Sequence, residues 1–129
     1  MANTDTILIV ASNLQLRRAL YDLLVMHLTQ HCIVLASSDS AAIHLAQGRE
    51  FQALIVDLDM PRGGGLERIR RLRAVCPNTP LLALGLEEGK MYMTAATDAG
   101  ATDYVSKATL SSQLILTLGK AVPSCIHSK

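Results

Sequence analysis

Leu54-Ile55-Val56-Asp57-Leu58-Asp59-Met60-Pro61 is the stretch on which the reading of this chain turns. An apolar, largely β-branched run leads straight into an acid, and a helix breaker, Pro61, stands four positions beyond it. That is the pattern of a fully buried strand ending in a loop, and it sets Asp57 at the strand's carboxyl end. In open α/β sheets this is the edge where ligands and chemistry gather, because the strands hold the loops in place while the loops vary.

On the amino-terminal side, residues 7–11 read as a short apolar strand, and Ser12 or Asn13 can cap the helix that follows. Leu16, Leu20, Leu23, Leu24 and Leu28 make one apolar stripe, with Arg17, Arg18 and Asp22 on the wet side. Residues 32–36 form a second strand. Ser37-Ser38-Asp39-Ser40 supplies turn and cap chemistry for a short helix over 41–47, ended by Gly48 as its C′ residue. On the carboxyl side of the central strand (53–56), a loop with Pro61 and Gly63-Gly64-Gly65 leads into a helix over 66–75, where Leu66, Ile69, Leu72 and Val75 repeat at three-residue steps. Pro77 and Pro80 stop it. Residues 81–84 form a fourth strand, 87–99 a weaker helix ended by Gly100, 102–106 a fifth strand, and 110–121 a last helix with Leu110, Leu114 and Leu118 on one face. Five alternations of strand and helix with short connections predict an α/β parallel sheet covered on both faces. Residues 1–121 make one domain, and 122–129, without periodicity, read as a tail or the start of a linker.

At 129 residues and 50% hydrophobic composition, the chain suits a single domain with a substantial core. Twelve basic and eleven acidic residues leave a formal charge of +1, so no long-range field argues for direct nucleic-acid binding or for an anionic membrane. The apolar runs are strand-length and the N-terminus lacks both a charged n-region and an extended h-region. Neither a signal peptide nor a membrane span is read, and a cytoplasmic location is expected. Cys32, Cys76 and Cys125 are odd in number and far apart without a C-x-x-C, which gives neither a disulfide framework nor a zinc site; reduced, structural thiols are expected.

Three pieces of this order resemble the receiver domains of two-component response regulators, over about residues 5–121. Val56-Asp57-Leu58-Asp59-Met60-Pro61 with Gly65-Leu66-Glu67 looks like the family's phosphoacceptor strand and loop, placing the acceptor on Asp57. Ala99-Gly100-Ala101-Thr102-Asp103-Tyr104-Val105-Ser106-Lys107 looks like its last strand, with the switch aromatic at Tyr104 and the invariant lysine at Lys107. The opening Ile7-Leu8-Ile9-Val10 is similar to its first strand. The resemblance implies a flavodoxin-like, doubly wound (βα)5 fold with a five-stranded parallel sheet in the order 2-1-3-4-5.

The departures bear on mechanism. The family carries an acidic pair after its first strand that holds magnesium; the matching positions here are Ala11 and Ser12. Its fourth strand ends in a Thr or Ser whose hydroxyl follows the phosphoryl group; Gly85 stands there instead. Magnesium asks for octahedral oxygen ligands, usually with one or two carboxylates. Losing two charges about 5 Å from a dication forfeits several kcal/mol each of gross attraction at an effective dielectric near 20. Magnesium binding is therefore expected to be weak or absent, with Asp57 and Asp59 as the residual candidate ligands and no other cofactor. The Arg62-Gly63-Gly64-Gly65 loop is expected to be mobile, with Gly65 near a helix cap.

The other features have ordinary readings. Asp57 and Lys107 either keep acceptor chemistry or serve as a structural ion pair, and Asp59 is a solvated loop carboxylate unless it turns inward as a substitute ligand. Arg62, Arg68, Arg70, Arg71 and Arg73 read as a solvated helix face, with an acidic partner as the alternative. The glycines lack the Gly-Lys-Ser/Thr of a phosphate-binding loop, and His27, His31 and Cys32 are explained by a helix C-terminus without a metal. With Gly85 offering no hydroxyl, Tyr104 is expected to be uncoupled from Asp57.

Two functions follow. The first is an atypical receiver, not an enzyme, that signals through protein partners and homodimerisation to control an output, transcription above all, with impaired magnesium-dependent phosphorylation. The second is a conventional phosphoacceptor served by a histidine kinase at Asp57. In the family, the fourth helix, last strand and last helix form the output face, and Met91, Tyr92, Met93 and Tyr104 suit self-association there; the first helix is a competing surface.

Overall fold

A computed structural model describes residues 5–59 and 64–123. Five parallel strands, β1 (Thr6–Val10), β2 (Cys32–Ala36), β3 (Ala53–Asp57), β4 (Leu81–Gly85) and β5 (Asp103–Ser106), form one sheet in the order β2-β1-β3-β4-β5. Five helices join and follow them: α1 (Leu14–His27), α2 (Asp39–Gly48), α3 (Gly65–Val75), α4 (Lys90–Ala99) and α5 (Leu110–Ala121). The expected α/β architecture and the strand order are both present.

Strands β1, β3 and β4 are almost wholly apolar because both faces of the sheet are covered. Ile7, Ile9, Ile55 and Leu82 pack against Leu20 and Leu24 of α1 and Leu114 and Leu118 of α5. Leu8, Val10, Leu54 and Val56 point the other way, onto Ile69 and Leu72 of α3 and Ala96 of α4. Alternation along each strand sends neighbouring side chains into different cores, so β1, β3 and β4 are buried along their whole length while edge strand β2 is only partly so.

Local signals set the helix starts. The Asn13 side chain accepts from Leu16 N at 2.9 Å and Ser38 Oγ from Ala41 N at 3.1 Å, each satisfying an amide with no partner inside the helix. With Ser38 as cap, α2 begins at Asp39 rather than at 41, and Gly48 is its last residue rather than a C′ terminator. The fourth helix starts at Lys90 rather than at 87. Val122, placed at the start of the tail by the sequence, is buried in the core below α5, and residues 124–129 lie outside the described residues.

At the amino edge of the sheet one side chain ties two connections together. Arg73 donates to the carbonyls of Cys76 at 2.8 Å and Thr79 at 2.6 Å before β4, and to Gly100 at 3.0 and 2.7 Å before β5. The carboxyl edge carries the residues of interest. Strand order reverses at β1, which lies between β2 and β3, so the switch point at which open α/β sheets take their ligands falls between the exits of β1 and β3.

Candidate functional site

Asp57 ends β3 with its side chain 1% exposed. A buried carboxylate needs a counter-charge, and Lys107, which follows β5 directly, supplies it: Nζ lies 2.7 Å from Asp57 Oδ1 and 2.7 Å from Asp59 Oδ2. Burial alone would lower the pKa of this ammonium, but the two paired carboxylates outweigh it and hold Lys107 above its ordinary value. The Asp59 amide also donates to Asp57 Oδ1 at 3.0 Å, closing a tight turn on the strand's end. Asp59 is thus not the solvated loop carboxylate expected of it, since its side chain turns onto Lys107. Met60, Pro61, Arg62 and Gly63, and the loop mobility expected there, lie outside the described residues.

The exit of β1 is occupied by arginines. Ala11 is buried, and its carbonyl accepts from Arg17 Nη1 at 2.8 Å. Ser12 Oγ accepts from Arg68 Nη2 at 3.1 Å. Arg68 is itself buried, at 1% exposure; its Nη1 donates to the Asp57 carbonyl at 2.8 Å and its Nε pairs with Asp39 at the start of α2. Arg71 adds a second contact to Asp39 at 3.2 Å. The expected solvated arginine face is therefore corrected at two positions. Arg68 turns to the exits of β1 and β3 and Arg73 to the amino-edge carbonyls, leaving Arg70 and Arg71 half-exposed. Arg68 is the residue that sequence reasoning missed. The available signal was its position four residues before Leu72, on the inward stripe of α3.

At β4's end, a β-carbon on Gly85 would overlap the Tyr104 hydroxyl. The half-buried phenol fills the volume of the absent side chain and donates to the Glu87 carbonyl at 2.7 Å. Burial first, then the charges of Asp59 and Glu87, push the Tyr104 pKa up, which keeps the donor protonated. Tyr104, Tyr92, Leu58, Leu66 and Ala95 border a cavity of about 190 Å³ beside this edge. Gly65 is the first residue of α3 and passes so close to the Leu58 carbonyl that a side chain there would collide with it. A larger cavity, about 630 Å³, lies at the opposite edge around Phe51, Cys76 and Pro80, away from this group.

Met91, Tyr92 and Met93 are exposed on α4. His27 sits in the last turn of α1 and contacts the Leu23 carbonyl at 3.0 Å. Cys76 is buried and Cys32 exposed, each a free thiol; Cys125 lies outside the described residues. Among the described residues, no cluster of three metal-ligating side chains occurs and no helix is long and apolar enough to cross a membrane.

Comparison with known proteins agrees with this architecture. The family described as response regulator receiver domain matches residues 7–118. The response regulator protein PmrA of Pseudomonas aeruginosa is 32% identical over 88 residues, covering 62% of this chain, which in turn spans only 40% of that protein's length. A two-component response regulator of the LuxR family from Aurantimonas superposes with a TM-score of 0.82 at 21% identity, over 95% of this chain and 87% of that one. The chemotaxis protein CheY4 of Vibrio cholerae gives 0.79 at 23% identity, over 92% and 99%.

Proposed function

Since this chain belongs to the response regulator receiver domain family, we propose that it is an atypical receiver that has replaced the metal of its acceptor site with side-chain cations. It works in the cytoplasm as a binding module without catalytic activity of its own, signalling through protein partners and self-association to control an output, which we take to be transcription.

The observation that carries this reading is the position of Arg68. Its guanidinium contacts Ser12 Oγ and the Asp57 carbonyl, between the exits of β1 and β3. The donor set there does not suit magnesium. Ala11 has no ligating side chain, Ser12 has a hydroxyl already engaged, and Arg17 and Lys107 add two more positive charges around the same edge. A dication about 5 Å from one guanidinium would feel on the order of 6 kcal/mol of gross repulsion at an effective dielectric near 20. Asp57 meanwhile keeps its buried partner Lys107, so the carboxylate is satisfied without metal.

One observation favours a second reading. The direct contact between Lys107 and Asp57 is a means of neutralising a phosphoryl group on Asp57 received from a histidine kinase. Incubation with acetyl phosphate, with magnesium and with chelator, followed by intact-mass measurement, separates the two. The atypical receiver acquires no phosphoryl group in either condition and shows no heat of magnesium binding at millimolar concentration. Magnesium-dependent addition of one phosphoryl group, lost in Asp57→Asn, would establish the conventional receiver.

A further inference from the structure

Helix α1 turns Leu20 and Leu24 to the core and leaves a second apolar stripe on its outer side. Leu14, Tyr21, Val25 and Met26 are 55%, 39%, 40% and 71% exposed. At 3.6 residues per turn, Leu14, Arg18, Tyr21 and Val25 fall along one outward line, with Asp22 and Met26 beside it. Arg18 and Asp22 stand one turn apart, yet among the described residues neither forms an ion pair. Arginine preceding the acid is the weaker orientation for a pair within one helix, so both charges are free for a partner.

We propose that this face binds the same face of a second copy of the chain, the two α1 helices running antiparallel about a two-fold axis at the level of Leu20. In an antiparallel pair, residues equally far before and after the centre meet. Arg18 and Asp22 lie two positions either side of it, and Leu14 and Met26 six. Each Arg18 then meets the other copy's Asp22, and each Leu14 comes level with the other copy's Met26. An isologous contact requires that one patch carry both halves of every pair, and this patch does. A parallel arrangement would oppose Arg18 to Arg18. A single helix pair covers less than the roughly 1,200–2,000 Å² of a stable interface, so the dimer is weak, with Kd on the order of 100 µM.

This contact rests on the reading of the chain as a module that acts through protein contacts, and it names the surface. Sedimentation velocity on wild type, Arg18→Glu, Asp22→Arg and the double reversal tests it, with Met91→Lys/Met93→Lys on α4 as comparator. Each single reversal opposes like charges twice per dimer and weakens association about tenfold or more, while the double reversal restores it to within about threefold of wild type. All four positions are exposed, and circular dichroism verifies that each variant is folded. A dimer indifferent to both single reversals but lost in the α4 variant would overturn this contact and leave the functional reading standing. A double reversal that fails to restore the dimer would also overturn it. A wild-type chain monomeric at millimolar concentration would remove the contact and the proposed self-association together.

Discussion

The Arg68 guanidinium donates to the Ser12 hydroxyl at 3.1 Å, fastening the first turn of α3 to the exit of β1. Replacing it by alanine leaves Asp39 without its buried partner and the Asp57 carbonyl without a donor. Arg68→Ala is expected to destabilise the fold by about 3 kcal/mol, near 10 °C in melting temperature. Thermal denaturation measures this, and a change under 1 °C would refute the structural role given to Arg68.

The same contact governs any attempt to rebuild a metal site. In Ala11→Asp/Ser12→Asp the new carboxylate at position 12 pairs with Arg68, and no melting shift between magnesium and chelator is expected. Adding Arg68→Ala frees the carboxylates. Ligand at a hundred times its Kd stabilises by about 2.7 kcal/mol, so the triple variant should gain several degrees in magnesium. A magnesium-dependent gain in the double variant, with Arg68 in place, would contradict this account.

Alkaline pH tests the Lys107 cluster. Its folded pKa is raised above 10.5, so its pairing with Asp57 and Asp59 contributes fully below that value and is lost as pH climbs through the folded one. Wild type should show a fall in urea-unfolding free energy above about pH 10.5 that Lys107→Met lacks. Parallel curves for the two proteins would rule the pair out as a contributor.

Gly85→Ala forces a β-carbon into the space of the Tyr104 hydroxyl. The ring must leave, at a cost of about 1–3 kcal/mol. Once moved toward water, the phenol titrates closer to its ordinary value of 10.0 than it does in wild type. Absorbance titration near 295 nm follows this. Removing the ring as well, in Gly85→Ala/Tyr104→Ala, should recover part of the loss, and strict additivity of the two changes would show that the residues do not interact.

The fold was legible because each buried strand is a short apolar run and the helix starts carry side-chain caps at Asn13 and Ser38. Asp57 and Lys107 could be placed at one edge from alternation alone. Arg68 could not, because its partners are remote. Asp39 is 29 positions away and Ser12 56, and helical periodicity says which way a side chain faces but not which charge waits there. Asp59's inward turn was hidden for a related reason. A loop carboxylate follows whichever cation lies within reach, and Lys107 comes to that place only when β5 joins the sheet.

Arg73, at the far edge of the sheet, makes a mechanical link between two loops that the chain keeps apart. Its four hydrogen bonds join the turn before β4 to the turn before β5, so one guanidinium anchors both. Backbone amides in these two segments should therefore exchange with solvent at a common rate, as one cooperative unit. A force applied at one loop is carried through Arg73 directly to the second and bypasses the strands between them.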